Sequence, residues 1–327
     1  MVPEYVHGVI SNVFTCFNED ESLDDAGQRN FLDALMTTKS VSAYFVRSGM
    51  GQQYAFEFED VKQIARNACS HLAGKAPVLV GTSGIWDRNR DRMPDPDRYL
   101  SQAVELSRHA QDAGAAGAVL TIPEALTPRD GETPLDATIR YLEAVCDAID
   151  IPVFLYQPPG TDEAFCVTPE SIRILADIPQ VKGIKISTSD AGYILDICWA
   201  VADHEDFAYI TGAETAFYAG LCVGSRAVIG QGACVNPAIL KAVQDRFEQG
   251  NHKGAIDAQR SANMLVDRAT DVVEFLKRYF TEKGYPVHPT ARTSKSHAYT
   301  EKKERLTQEH YDSFKQLLEN ELAKYAR

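Results

Sequence analysis

The chain has 327 residues, 44% of them hydrophobic, so it can bury one large α/β core or two smaller ones. Its formal net charge of −13 at pH 7 opposes a role on nucleic acid or on an anionic membrane, because both would require a basic face. These bulk properties favour chemistry on a small molecule.

The seven cysteines and eight histidines show no spacing typical of a metal site, and no Cys-x-x-Cys pair occurs. We therefore predict reduced thiols in a cytoplasmic protein. The N-terminus lacks a basic flank leading into an apolar core, and no later stretch reaches about 18 uninterrupted apolar residues. Neither secretion nor membrane insertion is expected.

Eight short β-rich runs alternate with longer helical patterns, which is typical of repeated βαβ units. Eight units followed by a helical tail favour a (β/α)8 barrel, and a doubly wound sheet is the main alternative. The predicted strands are Gly8–Phe17, Ser42–Arg47, Pro77–Gly81, Gly117–Pro123, Pro152–Gln157, Val181–Ser187, Phe207–Gly212 and Arg226–Gly230.

The C-terminal part of the chain has a different pattern. From about residue 250 onward it is wholly helical, with apolar periodicity over Ala255–Tyr279 and again over Leu306–Ala326. We therefore predict a barrel domain over residues 1–250 and a C-terminal helical region over residues 251–327.

Individual helices and connections are also predicted. Helices are expected over Asp97–Ala113 and over Pro169–Ala176, the latter with Thr168 as its N-cap. The Pro-bearing segment Gly284–Lys303 is interpreted as a connection. The polar segment Trp86–Pro96 follows the third strand and is expected at the carboxyl rim of the strands, either as a lid or as a plain solvated loop.

Lys185 lies in the apolar run Val181–Ser187, where a charged side chain is costly unless it has a function. In a strand, Lys185 and Ser187 share one face, while Ile184 and Ile186 share the other. If the isoleucines pack on helices, Lys185 points into the barrel, where its amine can attack a ketone. A lysine that snorkels at a strand end is the alternative.

Tyr156 stands near the end of the preceding predicted strand, in the run Phe154–Gly160. Reactive groups gather at the carboxyl ends of barrel strands, so Tyr156 and Lys185 are expected within reach of proton transfer. Taken alone, Tyr156 would be a core aromatic residue with a satisfied hydroxyl. The pair is more informative than either member.

These motifs resemble those of dihydrodipicolinate synthase and N-acetylneuraminate lyase, the pyruvate-dependent class I aldolases. Leu155–Pro159 (LYQPP) is similar to the family's Tyr-Asn-x-Pro segment, and Gly183–Lys185 (GIK) is similar to the segment with the imine-forming lysine. The resemblance extends over nearly the whole chain and implies a barrel fold and a homo-oligomer, either a dimer or a tetramer. Weaker similarities lie at Phe14–Phe17, His109–Gly117, Gly212 and Ala227–Gly230.

The resemblance implies that Lys185 forms a Schiff base and that Tyr156 shuttles protons. Neutral Lys185 would attack the ketone of a 2-oxo acid, lose water and leave an iminium that acts as an electron sink. An ordinary lysine is protonated at neutral pH, so burial in an apolar strand would favour the reactive neutral amine. This chemistry requires no metal or organic cofactor.

Ser48, Gly49 and Met50 follow the second strand, where backbone N–H groups would hold a substrate carboxylate. An ordinary tight turn is the alternative. The position matches the family's Gly-Thr-Thr-Gly-Glu loop, and Arg47 beside it either adds positive charge or faces outward. Further predicted substrate contacts are Ser187, on the face of Lys185, and Gly212 and Ile229 at the ends of the last two strands.

Three departures from the family pattern affect the relay or the substrate. Gly49 and Met50 replace the family's hydroxyl pair, so Ser48 or a water would have to complete the proton relay. Pro123–Ala125 (PEA) lacks the tyrosine that a neighbouring subunit supplies in the synthase. Thr161–Glu163 (TDE) begins where the synthase has its substrate-binding arginine.

We therefore predict a Schiff-base lyase or aldolase that acts on pyruvate or a related 2-oxo acid, with a dehydratase reaction as a close variant. True dihydrodipicolinate synthase activity is disfavoured. The acids Glu124, Asp162 and Glu163 favour a neutral, hydroxylated or cationic aldehyde over an anionic one. Glu214 is expected as an exposed rim carboxylate or as a ligand for substrate hydroxyls. The alternative function is a non-catalytic sensor or transport accessory for a 2-oxo acid or a sugar acid.

Overall fold

Eight parallel strands close into a barrel in the computed structural model, which describes residues 1–292 and 306–325. Each strand pairs with the next along the chain, and the eighth pairs with the first. The predicted (β/α)8 barrel is confirmed, and the doubly wound alternative is wrong. The strands are β1 (Gly8–Asn12), β2 (Ala43–Val46), β3 (Val78–Gly81), β4 (Gly117–Thr121), β5 (Val153–Gln157), β6 (Val181–Ile186), β7 (Ala208–Thr211) and β8 (Ala227–Val228).

A helix follows every strand. None of the helices in the described residues is long and apolar enough to cross a membrane. The helices are α1 (Asp25–Thr37), α2 (Phe58–Leu72), α3 (Pro96–Asp112), α4 (Pro134–Cys146), α5 (Pro169–Ala176), α6 (Ala191–Ala200), α7 (Phe217–Cys222), α8 (Gly232–Val235), α9 (Pro237–Glu248), α10 (His252–Arg268), α11 (Val272–Glu282) and α12 (Gln308–Ala323).

Local capping explains where several of these helices begin. Thr133 and Asp136 bond to each other's backbone N–H groups at the start of α4. Thr168 caps α5 as predicted, by accepting from the backbone N–H of Ser171. Proline occupies the first turn of both helices, where a missing N–H group has no consequence.

Strand β6 orients its two faces as the alternation predicts. Ile184 and Ile186 are buried in one apolar cluster with Ile172 of α5 and Ile194 of α6. Lys185 lies on the opposite face, inside the barrel, and is only 6% exposed. Packing of the isoleucines on helices therefore directs the lysine towards the barrel axis, as expected.

Strand β1 is shorter than predicted, because it ends at Asn12 and not at Phe17. Beyond it, the Thr15 hydroxyl donates to the Gly51 carbonyl at 2.7 Å, which takes the chain out of the sheet. Phe14 packs against Phe31 of α1, with ring centroids 5.8 Å apart. The apolar residues of this run therefore pack in the core between the barrel and α1. Strand periodicity alone does not distinguish such residues from residues of the strand itself.

The C-terminal helices pack on one side of the barrel. Helix α10 contacts α9, and α11 contacts α1, where Phe280 and Phe31 lie 5.0 Å apart between ring centroids. The periodic stretch Ala255–Tyr279 is divided between α10 and α11, because Asp271 accepts from the backbone N–H of Glu274 and starts a new helix.

Helix α12 falls within the predicted stretch Leu306–Ala326, whose last residue lies outside the described residues. Barrel and C-terminal helices share one apolar cluster. The domain boundary at residue 250 stays a prediction.

Residues 285–292, here called the C-terminal strap, lie between α11 and the loop that follows β2. The fully buried Lys277 of α11 donates to the Thr290 carbonyl at 2.6 Å. Arg292 exchanges two hydrogen bonds with the side chain of Gln52, through its own backbone N–H and carbonyl. Near the other end of the strap, Asn30 of α1 donates to the Pro286 carbonyl at 2.8 Å, so the strap is held near both ends. The rest of the predicted connection, residues 293–303, lies outside the described residues.

Candidate active site

Lys185 and Tyr156 meet inside the barrel. They are directly paired residues of β6 and β5, and Tyr156 is 4% exposed. The Lys185 Nζ atom lies 3.9 Å from the centroid of the Tyr156 ring. The two residues that the motifs single out are therefore in contact at the carboxyl end of their strands.

A cavity of about 800 Å³ opens over this pair, a volume that accommodates a small organic substrate. Five of the six predicted substrate contacts line it: Gly49, Met50, Ser187, Gly212 and Ile229. These five residues lie in the loops after β2, β6, β7 and β8 and form part of the cavity wall.

Ser48 is the sixth predicted contact, and it does not line the cavity. Its side chain is fully buried, accepts from the backbone N–H of Gly51 at 3.0 Å and approaches the Val13 carbonyl at 3.4 Å. These contacts shape the loop from inside. Direct substrate contact by Ser48, or its use in the proton relay, stays a prediction.

Gly49 allows the Tyr156 hydroxyl to approach the loop closely. A Cβ atom at position 49 would lie 2.9 Å from that hydroxyl oxygen, closer than ordinary contacts permit. The substitution that removes the family's hydroxyl therefore also makes room for the tyrosine. Gly49 and Met50 both line the cavity, and binding of a carboxylate by their backbone stays a prediction.

Glu214 is buried, which contradicts the expected exposed rim position. It is 6% exposed, and its two carboxylate oxygens accept from the backbone N–H groups of Gln231 at 3.0 Å and Gly232 at 2.7 Å. Burial raises the pKa of Glu214, and the backbone bonds and the charge of Lys185 oppose that rise. The short loop after β8 folds back on the end of β7, which is why sequence separation hides this contact.

Arg47 is also buried, so the outward-facing alternative is wrong. Its guanidinium donates to the backbone carbonyls of Gly81 at 3.1 Å, Ser83 at 2.6 Å and Gly84 at 3.4 Å. Burial lowers the pKa of Arg47 to about 10, which leaves it charged at neutral pH. It does not line the large cavity, but lies behind its wall between β2 and β3.

The polar segment after β3 bonds to the loop after β5. Arg88 donates to the Pro159 carbonyl at 2.7 Å, and Arg90 donates to the Gly160 carbonyl at 3.2 Å. Both also donate to Glu124, each at 2.9 Å. The segment lies at the carboxyl rim as predicted, and it is more than a plain solvated loop. Closure as a lid stays a prediction.

This arrangement contradicts the expected acidic character of the site. Glu124 is neutralised by two arginines, and neither Asp162 nor Glu163 lines the large cavity. Arg88 lines it instead. The acidic residues are adjacent to the motif in sequence, but the arginines that pair with Glu124 come from a distant loop.

A model of the dihydrodipicolinate synthetase family matches residues 5–311 of the chain. The chain belongs to this family. A similar protein is the putative 2-dehydro-3-deoxy-D-gluconate aldolase YagE of Escherichia coli strain K12, at 30% identity over 247 residues, covering 73% of this chain and 74% of YagE. An uncharacterized DapA-like lyase of Pyrococcus furiosus is 26% identical over 296 residues, covering 88% of this chain and 90% of the relative.

The crystal structure of YagE in complex with pyruvate has the same fold. It matches this family member with a TM-score of 0.77 and 24% identity, over 98% of this chain and 99% of that chain. Family members are class I aldolases and lyases that work through a Schiff base, so this chain is an enzyme of that type. The predicted oligomer and the cytoplasmic location stay predictions.

Sequence reasoning missed several residues of the cavity wall. Tyr54 and Arg88 lie in segments without strand or helix periodicity, whereas Asn12 and Gly230 lie in predicted strands but are not among the predicted substrate contacts. All of them, with Glu214, line the cavity. In the described part of the chain, no three His, Cys, Asp or Glu side chains come together as a metal site. Chemistry without a cofactor stays a prediction.

Proposed function

We propose that this enzyme forms a Schiff base between Lys185 and the ketone of pyruvate or a related 2-oxo acid. The iminium then loses a proton to give an enamine that adds to an aldehyde or eliminates water. In the reverse direction, the iminium of a larger substrate releases an aldehyde by carbon–carbon cleavage and leaves the enamine. The observation that carries the proposal is the contact between the Lys185 amine and the Tyr156 ring, 3.9 Å apart below the large cavity.

The steps follow from the chemistry of a neutral amine. The Lys185 nitrogen adds to the ketone carbon and gives a carbinolamine, whose hydroxyl takes a proton from the Tyr156 phenol and leaves as water. Loss of a proton from the carbon next to the iminium gives the enamine. Addition of the enamine to an aldehyde forms the new bond, and water then hydrolyses the product iminium and releases the lysine.

The substrate carboxylate has a suitable position beside this pair. Gly49 and Met50 line the cavity, and their backbone N–H groups can approach an anion without obstruction by a side chain at Gly49. The Ser48 hydroxyl and the Gln52 side chain fix the loop from within and from the strap. A carboxylate held there would keep the ketone oriented towards Lys185.

One relative supports a 2-oxo acid substrate. YagE is named a putative 2-dehydro-3-deoxy-D-gluconate aldolase, and its crystal structure was determined in complex with pyruvate. True dihydrodipicolinate synthase activity remains disfavoured, because Gly49 and Met50 replace the relay hydroxyls and Pro123–Ala125 lacks the intersubunit tyrosine. The choice between aldolase and dehydratase is left to the experiment.

Borohydride trapping tests the proposal. The protein is incubated with pyruvate, reduced, weighed as an intact chain and mapped by peptide mass spectrometry. We expect one reduced pyruvyl group on Lys185, and none in Lys185→Met. Lys182 is the matched control, because it lies on the same strand but pairs with Asp206 outside the barrel. Lys182→Met should trap pyruvate as the parent does.

An adduct on Lys182, or equal labelling of Lys185→Met and the parent, would overturn the proposal. Ligand-induced thermal stabilisation without any adduct would favour the non-catalytic binding protein instead. If, on the other hand, the adduct forms on Lys185, the next step is to screen aldehydes and 2-oxo sugar acids for turnover.

A further inference from the structure

Arg88 is placed by the fold where it can contact a substrate bound to Lys185. It lines the large cavity together with Tyr156, Lys185 and Pro159. Its backbone adopts φ +62°, a region that residues other than glycine rarely occupy, so the loop conformation is specified by its contacts. The Arg88 side chain is 17% exposed, so its guanidinium lies largely within the wall.

Two hydrogen bonds hold this guanidinium and leave donors for a ligand. One Nη1–H group donates to the Pro159 carbonyl at 2.7 Å, and one Nη2–H group donates to Glu124 at 2.9 Å. A guanidinium has more N–H donors than these two hydrogen bonds use. The planar arrangement of its donors matches the two oxygens of a carboxylate. Preorganised donors of this kind bind an anion without further loss of side-chain freedom.

Three guanidinium groups, Arg88, Arg90 and Arg47, lie at this wall with two carboxylates, Glu124 and Asp162, and Glu214 is a further carboxylate in the cavity wall after β7. Glu124 is one carboxylate shared between Arg88 and Arg90, and it also accepts from the backbone N–H of Asp162 at 2.9 Å. Asp162 itself lies 3.9 Å from the far side of Arg90 and is half exposed, so solvent screens it. Arg47 is buried behind the wall that contains Arg88. Among the described residues, its guanidinium donates only to backbone carbonyls, so its positive charge is not neutralised by a carboxylate.

Glu124 does not oppose an anion in the large cavity. It faces a smaller second cavity of about 20 Å³, with room for about one water molecule, which Arg47 also lines. Tyr54 and Arg88 line both cavities and separate them. Glu124 lines only the second cavity, whereas Arg88 lines both, so Arg88 is the member of this ion pair that a ligand in the large cavity can reach.

We propose that Arg88 selects substrates whose far end carries an acidic group, so that the 2-oxo acid bound at Lys185 is dianionic. This proposal rests on the proposed Schiff-base function and names its substrate class. The near carboxylate lies on the loop of Gly49 and Met50, and the far carboxylate lies on Arg88. It reverses the expectation from sequence, which counted the acids of this wall without the arginines that neutralise them.

The test compares two 2-oxo acids of equal length in the borohydride trap. One is 2-oxoadipate, with a far carboxylate, and the other is 2-oxohexanoate, without one. The parent should need about 10- to 100-fold less 2-oxoadipate for half-maximal trapping, which is the range for one charge-assisted hydrogen-bond pair. Arg88→Met should reduce that ratio to near unity.

Arg90→Met is the matched control. It also removes a guanidinium that binds Glu124, but Arg90 is half exposed and does not line the large cavity. Its selectivity ratio should equal that of the parent. Loss of selectivity in Arg90→Met to the same extent as in Arg88→Met would overturn the proposal, because the effect would then come from the net charge of the loop.

Failure of this proposal is distinguishable from failure of the Schiff-base function. A parent protein that traps pyruvate but shows no preference for 2-oxoadipate, or that traps neither longer acid, contradicts the role of Arg88 alone. A parent protein that fails to trap pyruvate contradicts the proposed function itself.

Discussion

The two walls of the large cavity differ in how closely they follow the family pattern. The β5–β6 wall, formed by Tyr156 and Lys185, retains the motif of the Schiff-base aldolases in sequence and in geometry. The β2–β4 wall, formed by Gly49, Tyr54 and Arg88 of the loops between β2 and β4, carries Gly49 and Met50 in place of the family's hydroxyl pair and contains a guanidinium. The proposed roles of Lys185 and Arg88 therefore place reaction and recognition on separate elements of the barrel, which can change independently.

Lys185→Met should have the largest effect, because it removes the nucleophile of the β5–β6 wall. Turnover should fall by more than about 10⁴-fold, the upper range for loss of a single acid–base group, since no other group forms the imine. The measurement is turnover of whichever substrate the screen identifies. A residual rate within about 100-fold of the parent would break the assignment of chemistry to this wall. The thermal unfolding midpoint and circular dichroism check that the variant is folded.

Tyr156→Phe should have the next largest effect. Loss of the phenol removes the proton donor for the departing water, so imine formation should slow by about 10²- to 10⁴-fold. The ring remains to pack against Lys185, so pyruvate binding should persist. The rate of trapping at saturating pyruvate measures this effect. An unchanged rate would mean that a group of the β2–β4 wall, or a water, supplies the proton.

Arg292→Ala should have a smaller effect, on binding more than on rate. The Arg292 side chain donates to the Glu21 and Ala55 carbonyls and forms an ion pair with Asp60. Without these contacts the strap should loosen its hold on Gln52 and on the carboxylate loop. We expect a rise of about 3- to 10-fold in the pyruvate concentration for half-maximal trapping, with the maximal rate retained.

Arg292→Lys provides the control for this positioning role. A lysine keeps the charge opposite Asp60 but loses the fork of donors, so it should restore only part of the affinity. A fall in the maximal trapping rate, with unchanged half-maximal concentration, would contradict positioning of the carboxylate loop by the strap.

Glu214→Gln should have the smallest effect and should depend on pH. Burial raises the pKa of Glu214, so the folded state binds its proton more tightly than the unfolded state does. The associated stability is fully present below the ordinary carboxyl pKa and is lost as pH rises through the folded value. The unfolding midpoint of Glu214→Gln minus that of the parent should therefore increase from acidic to neutral pH. A constant or decreasing difference would contradict this assignment.

The same measurement in a Lys185→Met background tests the interaction between Lys185 and Glu214. The charge of Lys185 lowers the pKa of Glu214 and so offsets the effect of burial. In a Lys185→Met background, the gain from Glu214→Gln at neutral pH should be larger. Equal gains in both backgrounds would show that the two side chains do not interact.

Short-range patterns were sufficient to predict the barrel and the β5–β6 wall. Strand alternation places Lys185 on the face opposite Ile184 and Ile186. Tyr156 pairs with Lys185 because the ends of β5 and β6 are adjacent. The periodicity could not locate the end of β1, because the apolar residue Phe14 packs against Phe31 of α1 and is not part of the sheet.

Arg88 of the β2–β4 wall and Glu214 after β7 could not be placed from the sequence, because their contacts join segments that are distant along the chain. Arg88 donates to Glu124 from a loop without periodicity, and Glu214 is buried by backbone donors of the loop after β8. The acidic residues near the Tyr156 motif predict a negatively charged wall. That prediction fails because the arginines that pair with Glu124 come from the loop after β3.

The most direct test of separate walls is the trapping selectivity between 2-oxoadipate and 2-oxohexanoate, measured in Tyr156→Phe and in Arg88→Met. The account predicts that Tyr156→Phe slows the trapping of both acids and keeps the parental ratio of half-maximal concentrations, whereas Arg88→Met brings that ratio close to unity. A ratio altered equally by both substitutions would contradict the division between a wall for reaction and a wall for recognition.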